Sequence, residues 1–345
     1  MRRAQWQDRW NLLRKLSPSK VWNIIRVLAS YYYSLYRKQA FLQGLPISLS
    51  VEPTTACNLR CPECISGLRA FSRPTGMLSK QLFEKTIEEL QKKLLYLTFY
   101  FQGEPYLHPD FLEMVQFASK KGIYTATSTN AHYLSEEKAR QTIASGLDRL
   151  IISLDGTTQE TYAQYRVGGK LEKVMEGTRN ILHWKKQMGS ATPYVVWQFL
   201  VVRPNEHQIP EVKKLAREIG VDALALKTAQ IYDYAQGSDL IPTLAQYSRY
   251  VRQTDGTYRI KNALHNQCWK MWHSCVMTWD GRIVPCCFDK DANHEMGQIS
   301  AQTHFRDIWQ SPPYQAFRQS LLRSRSQIEM CQNCTEGLKV WAQSP

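Results

Sequence analysis

Residues 57–64 read CNLRCPEC, and they follow a short β-rich run, ISLSV, at residues 47–51. The three cysteines of this stretch, Cys57, Cys61 and Cys64, have the spacing C-x3-C-x2-C. Three thiolates on one short loop can ligate three irons of a cubane [4Fe–4S] cluster. The next cysteine along the chain is Cys268. The fourth iron is therefore left open to another ligand, as in a catalytic metal site.

β-rich runs alternate with helical patterns over residues 46–230. The runs are 47–51, 95–101, 123–128, 149–154, 194–202 and 223–227. Ser79 and Ser135 are in position to cap two of the helices between them. Strands that alternate with helices form parallel βαβ units. The predicted fold class is therefore α/β, a partial (β/α)6 barrel of the TIM type.

The distinctive polar motifs follow the predicted strands at their C-terminal ends. After the cysteine stretch they are Gln102-Gly103-Glu104-Pro105, Ser128-Thr129-Asn130 and Ser153-Leu154-Asp155-Gly156. In parallel α/β barrels the active site is assembled on this face. The positions of the motifs therefore predict that they share one site with the three cysteines.

The cysteine stretch and the preceding Glu52-Pro53-Thr54-Thr55 resemble the radical S-adenosylmethionine (SAM) superfamily, and the resemblance covers about residues 46–230. It implies that the open iron binds the amino and carboxylate groups of SAM. One electron, from a donor such as flavodoxin or ferredoxin, then cleaves SAM to a 5′-deoxyadenosyl radical. That radical abstracts a hydrogen atom from a substrate, so the cofactor supplies the difficult chemistry and the protein orients it.

The same resemblance suggests which residues contact SAM. Gly103 and Glu104 match the family's Gly-Gly-Glu-Pro motif, which binds the SAM amino group, although Gln102 replaces its first glycine. Ser153 matches a serine near the amino acid or ribose of SAM. Arg166 matches an arginine that pairs with the SAM carboxylate through its planar fork, and a surface charge is the alternative. Further candidates for the ribose are Ser128 and Asn130.

A C-terminal module, residues 263–340, follows a connector at residues 231–262 and holds the other six cysteines. It resembles SPASM or shorter twitch modules, which bind auxiliary [4Fe–4S] clusters. Six cysteines are too few for two fully ligated cubanes, so one second [4Fe–4S] cluster is expected. The expected ligands are Cys268, Cys286, Cys331 and Cys334, with Cys275 and Cys287 as alternates. Asp289 is a candidate base that could equally cap a turn.

Residues 1–45 are predicted to form a basic amphipathic helical segment. They hold nine of the 44 Lys and Arg residues and a single acid, Asp8. The favoured interpretation is a helix packed on the barrel with a solvated basic face. Peripheral contact with an anionic membrane is the other. Because the basic excess lies outside the catalytic motifs, no nucleic-acid partner is expected.

Clustered thiols without a secretory signal indicate a cytoplasmic protein, which is also membrane-associated if residues 1–45 contact a bilayer. The expected substrate is a peptide, a protein or a sugar-like small molecule. Residues 1–45 are short and basic for a domain that grasps a leader peptide, which argues slightly against leader-guided substrates. A different class is a non-catalytic zinc-binding interaction protein, because Cys-x2-Cys also occurs in zinc sites.

Overall fold

Six strands in the middle of the sheet run parallel to one another and pair in chain order. They are β1 (Ser48–Val51), β2 (Tyr96–Thr98), β3 (Tyr124–Thr129), β4 (Arg149–Ser153), β5 (Tyr194–Val201) and β6 (Ala223–Thr228). In the described residues, β6 does not pair with β1 and the sheet stays open. The predicted α/β partial barrel is therefore confirmed.

The computed structural model describes residues 2–261, 263–334 and 342–343. Residues 262 and 335–340 of the predicted connector and C-terminal module lie outside the described residues. The described helices are α1 (Arg2–Arg14), α2 (Pro18–Arg37), α3 (Ile65–Leu68), α4 (Lys80–Leu90), α5 (Phe111–Lys120), α6 (Glu136–Ala144), α7 (Gln159–Tyr165), α8 (Leu171–Gln187), α9 (Ile209–Ile219), α10 (Lys270–His273), α11 (Phe305–Trp309), α12 (Pro312–Ser324) and α13 (Glu329–Gln332).

The predicted element bounds agree with the structure to within one residue for every strand except the second. That strand ends at Thr98, not at residue 101, because the chain turns away to reach Gly103, which has a positive φ of 74°. The two predicted caps are present. Ser79 accepts a hydrogen bond from the Leu82 N–H, and Ser135 accepts one from the Lys138 N–H.

The C-terminal module extends the same sheet beyond β1. The remaining strands are β7 (Tyr250–Arg252), β8 (Tyr258–Ile260), β9 (Ser274–Met277), β10 (Arg282–Val284), β11 (Gly297–Gln298) and β12 (Ala342–Gln343). β9 pairs in parallel with β1, and β10 and β11 follow antiparallel. β7 and β8 form a separate antiparallel pair, and β12 lies antiparallel to β6. The pairing of β9 with β1 makes the C-terminal module a continuation of the barrel sheet.

The two faces of the central sheet differ in burial. Alternate residues such as Ile152, Trp197 and Leu226 are at most 1% exposed. They form the outer face, and the Trp197 indole donates a hydrogen bond to Thr178 of α8 at 3.1 Å. Residues of the opposite, inner face, such as Gln198, are only partly buried. Because the sheet is open, its inner face remains accessible.

The helices α1 and α2 lie across the N-terminal ends of the strands. Asp8 accepts hydrogen bonds from Tyr124 and Arg149, at the starts of β3 and β4. Lys20 donates to the Gly122 carbonyl at 2.6 Å. Residues 2–45 therefore pack on the barrel, as the favoured interpretation predicted. The details differ from that prediction, because exposed aromatic side chains such as Trp22 share the outer face with the basic ones.

Candidate active site

The three cysteines of the first stretch line one pocket at the C-terminal ends of the strands. Its volume is about 190 Å³. Burial raises the pKa of the Cys57 thiol to about 11. Burial also raises the pKa of the Cys61 thiol, and the nearby Arg166 opposes that second shift. Clusters bind thiolates, so cluster binding must release protons from this loop. A neighbouring guanidinium favours that charged form.

All six predicted SAM contacts line this same pocket. They are Gly103, Glu104, Ser128, Asn130, Ser153 and Arg166. They come from four different segments of the chain that meet at the C-terminal ends of β2, β3 and β4. The sequence therefore identified residues that the structure brings together, and their polar groups suit a ligand with ammonium, carboxylate and hydroxyl groups.

Position 103 requires a glycine, because backbone atoms of another segment lie too close to leave room for a side chain. A Cβ atom at this position would lie 2.1 Å from the Thr54 carbonyl oxygen, and φ is positive. The next residue, Glu104, donates its N–H to the Ala56 carbonyl at 2.8 Å. A glycine in a binding motif suggests that the backbone approaches the ligand closely. In the structure it lets the turn approach the chain that leads into the cysteine stretch.

The Glu104 side chain is held by the end of β3. Its carboxylate accepts hydrogen bonds from the Thr129 hydroxyl at 2.7 Å and from the Asn130 N–H at 2.8 Å. Despite these donors, burial raises its pKa to about 7. The carboxylate is thus fixed at the pocket wall, where a bound ammonium group would favour its charged form.

Arg166 is not a free surface charge. Its Nε donates to Asp155 at 2.5 Å, and this carboxylate also accepts the Leu200 N–H at 2.7 Å. The Arg166 side chain is 16% exposed and the Asp155 side chain is fully buried. One terminal nitrogen lies 3.8 Å from Cys61 Sγ. Asp155 therefore orients the guanidinium toward the cysteines.

Two tyrosines at the site were missed by the sequence analysis. Tyr100 and Tyr165 line the pocket with the cysteines. Tyr100 also lines a second cavity of about 600 Å³ on the inner face of the sheet, together with Gln198 and Lys227. The position of Tyr100 just after a strand was a usable signal. Tyr165 lies on a helix and carries no such signal.

The C-terminal cysteines fall into groups. Cys268, Cys331 and Cys334 lie near Arg325. Burial lowers the pKa of this guanidinium, but the three cysteines raise it by a larger amount, so the net shift is upward. Arg325 donates to Cys334 Sγ at 3.1 Å. This gathers three of the four expected ligands.

The fourth expected ligand, Cys286, is adjacent to Cys287. Lys270, two residues after Cys268, lies with its Nζ 3.2 Å from Cys287 Sγ. Cys275 is 2% exposed on β9. Both Cys286 and its alternate Cys287 therefore remain candidates beside the Cys268 segment. Among the described residues, no three His, Cys, Asp or Glu groups form a site for one metal ion. Each thiolate of a cubane binds a different iron, so a cluster does not require such a group.

Asp289 is engaged in a turn. It is 3% exposed, and its two oxygens accept the N–H groups of Asn293 and His294 at 2.8 and 2.9 Å. Burial raises its pKa, which those hydrogen bonds oppose. These contacts match the turn-capping alternative, and the role of Asp289 as a base stays a prediction.

Comparison with known families follows the same division of the chain. The family model of the Radical SAM superfamily matches residues 51–221. The model of an iron–sulfur cluster-binding domain, SPASM, matches residues 268–335. The chain belongs to the radical SAM superfamily and carries a C-terminal SPASM domain. It is an enzyme whose cofactors are SAM, the [4Fe–4S] cluster that binds SAM, and an auxiliary iron–sulfur centre. A non-catalytic zinc protein is not supported.

Relatives act on different molecules. The chain is 25% identical over 305 residues, 78% of this chain and 82% of the relative, to a tungsten-containing aldehyde ferredoxin oxidoreductase cofactor-modifying protein of Pyrococcus furiosus. It is 30% identical over 205 residues, 59% of this chain and 52% of the relative, to a PqqA peptide cyclase of Rhodopseudomonas palustris. Streptococcus suis SuiB bound to its precursor peptide SuiA shares the fold, with a TM-score of 0.60, 14% identity and coverage of 84% of this chain and 70% of that chain.

Proposed function

We propose that this enzyme uses its radical reaction to modify a peptide or protein that enters from the open inner face of the sheet. The cavity of about 600 Å³ on that face carries this proposal, because Tyr100 lines both this cavity and the cysteine pocket. Its wall is formed by the inner faces of β4, β5 and β6 and by residues of α1, which leaves room for a short substrate segment. The peptide named for the PqqA cyclase and the one bound to SuiB are consistent with this substrate class.

The cluster and SAM, when bound, supply the hydrogen-abstracting radical, and the protein's own residues do the rest. We assign Cys57, Cys61 and Cys64 to the cluster, and Glu104 and Arg166 to the ammonium and carboxylate ends of SAM. The hydroxyl and amide groups at the ends of β3 and β4 serve the ribose. Asp155 keeps the guanidinium in place. These contacts would hold SAM in one orientation.

The cavity wall is cationic. Lys227 lines it, and burial lowers the pKa of Lys227, with further lowering by the charges of Arg249 and Lys270. Arg249 has a buried terminal nitrogen without a hydrogen-bond partner in the described residues. Among the described residues that line the cavity, three are cationic and Asp8 is the single carboxylate, so an anionic group is favoured there. A carboxylate of the substrate suits this position, and a Lys227→Met variant is expected to weaken turnover without changing SAM binding.

A small molecule is the second candidate substrate. The relative from Pyrococcus furiosus is named for modifying a cofactor, and the similarity to it spans most of both chains. A sugar-like alcohol or a cofactor with a carboxylate or phosphate would also satisfy the cationic wall. The partners we propose are thus a one-electron donor such as flavodoxin or ferredoxin, the substrate, and a membrane surface contacted through residues 1–45.

The experiment measures how much 5′-deoxyadenosine the reconstituted protein forms with a chemical reductant. Fractions of host cell extract are then added one at a time. A stimulation that resides in the macromolecular fraction and is lost on protease treatment supports a peptide or protein. Stimulation by the small-molecule fraction alone would instead establish the second candidate. The Cys57/Cys61/Cys64→Ala triple variant is the control. It should retain about four of about eight irons and form no deoxyadenosine.

A further inference from the structure

The outer surface of α1 and α2 is rich in exposed aromatic residues. Of the 18 large hydrophobic side chains that are exposed in the described residues, ten belong to residues 6–41. Trp6, Trp10 and Trp22 are 59%, 58% and 59% exposed, and Tyr36 is 84% exposed. Scattered exposed apolar residues are ordinary, but such a concentration marks an interaction surface.

These side chains form a stripe on each helix. On α2 the exposed residues Trp22, Ile25, Ala29, Tyr32 and Tyr36 follow one another at intervals of three or four residues. That spacing places them on one face of a helix. On α1, the exposed side chains of residues 6, 10 and 13 have the same spacing. The two stripes and the basic residues beside them are called the aromatic–basic face here.

Most of the fully buried residues of α2 are polar. Its buried residues include Lys20, Asn23, Ser30 and Ser34. The Asn23 amide donates to the Leu45 carbonyl at 2.8 Å, and the Ser34 hydroxyl lies 2.9 Å from the Phe41 carbonyl oxygen. A surface helix of a globular protein usually turns its apolar stripe toward the core. Val27, Tyr31 and Leu35 pack on the core in this way, but the aromatic stripe lies on the opposite face, so contact with the barrel does not explain it.

The charge of the aromatic–basic face is positive. Arg9, Arg14, Arg37 and Lys38 are exposed, and none forms an ion pair with a described residue. The single acid of the segment, Asp8, is 8% exposed and pairs with Arg149. The face therefore presents tryptophan, tyrosine and cations together, with its one carboxylate turned inward.

These properties decide between two occupants. A second copy of the chain would bring two identical cationic faces together in a symmetric dimer, which like charges oppose. Tryptophan and tyrosine favour the interface between water and lipid, and Lys and Arg bind anionic headgroups. In the described residues, no helix is long and apolar enough to cross a bilayer.

We propose that the aromatic–basic face docks the enzyme on an anionic lipid bilayer, with α1 and α2 parallel to its surface. The aromatic rings enter the headgroup region, and the arginines bind lipid phosphates and carboxylates. Because both helices cross the N-terminal ends of the strands, the cysteine pocket at the opposite ends faces away from the bilayer. This proposal concerns where the enzyme works, and its failure would leave the proposed reaction untouched.

The test is co-sedimentation of the reconstituted full chain with vesicles. The two vesicle types are phosphatidylcholine alone and phosphatidylcholine mixed with phosphatidylserine. Binding is expected only to the second type, and salt should weaken it by screening the charges. A Trp6/Trp10/Trp22→Ser variant should bind at least about tenfold more weakly, because it loses buried apolar area. Arg9→Ala, Arg14→Ala and Arg37→Ala should each weaken binding about fivefold.

A matched control is the Met188→Ser/Leu244→Ser variant, which removes exposed apolar side chains outside the face. It should bind as the wild type does. The tryptophan, Arg14 and Arg37 variants should keep wild-type deoxyadenosine formation; Arg9 lines the proposed substrate cavity, so its variant is compared for lipid binding alone. If the triple tryptophan variant does not fold, quenching of wild-type tryptophan fluorescence by brominated lipid provides the same test. Equal binding of the triple variant and the wild type, or no binding to anionic vesicles at low salt, would overturn the proposal. The proposal would also be overturned if the protein forms a dimer that the tryptophan substitutions dissociate, and if it does not bind lipid.

Discussion

Replacing Arg166 with alanine tests the assignment of the SAM carboxylate site. The guanidinium lies in the cysteine pocket and is anchored through Nε by Asp155 at 2.5 Å, which leaves its terminal nitrogens for a ligand. Loss of one charged hydrogen bond costs about 1.5–3 kcal/mol. At about 1.4 kcal/mol per factor of ten, SAM should bind roughly 10 to 150 times more weakly.

The substitution also affects folding. Asp155 is fully buried, and breaking a buried ion pair costs about 3–5 kcal/mol. Asp155 keeps its hydrogen bond from the Leu200 N–H, so the lower end of that range is expected. The melting temperature of the variant should therefore fall, and SAM affinity must be measured well below it. Iron content should remain at the wild-type level, since no cysteine is changed.

The assay is equilibrium binding of SAM to anaerobically reconstituted protein. Arg140→Ala is the matched control, because Arg140 forms an exposed ion pair with Glu137 on α6. It should change neither the affinity nor the iron content. A folded, fully loaded Arg166→Ala protein that binds SAM as the wild type does would refute the assignment of this residue.

Three further outcomes are expected. When one ligand of the auxiliary cluster is changed to alanine, the protein should lose up to about four irons and keep SAM cleavage without substrate. Stoichiometric zinc in the wild type would contradict this. The variants for that iron and zinc analysis are Cys268→Ala, Cys286→Ala, Cys331→Ala and Cys334→Ala, with Cys275→Ala and Cys287→Ala as the milder pair. The pKa of Glu104 is raised from 4.5 to about 7, so its proton is held more tightly in the folded protein. Stability should therefore fall as pH rises between these values, by on the order of 3 kcal/mol, and thermal unfolding of Glu104→Gln across this range should lack that part of the decline. Gly103→Ala should lower the melting temperature far more than Gly189→Ala, because both glycines have a positive φ but only the first would place a Cβ against backbone atoms; equal effects would show that the close approach to Thr54 is unimportant.

The sequence alone determined the radical SAM assignment and most of the barrel. Cysteine spacing is a local property of the chain, and so is the alternation of β-rich and helical patterns. The rule that parallel strands share one C-terminal edge then connects residues as distant as Glu104 and Ser153. These inferences need no knowledge of how side chains pack.

Only the tertiary structure decided what individual side chains do. The pairing of Arg166 with Asp155 and the turn held by Asp289 depend on distances between segments, which no local pattern encodes. The N-terminal helices show the same limit. Their composition predicted amphipathic helices, but a helix with apolar side chains on two faces can pack through either. The backbone carbonyls at the N-terminal ends of the strands needed hydrogen-bond donors, so Lys20 and its polar neighbours turned inward and the tryptophans stayed outside.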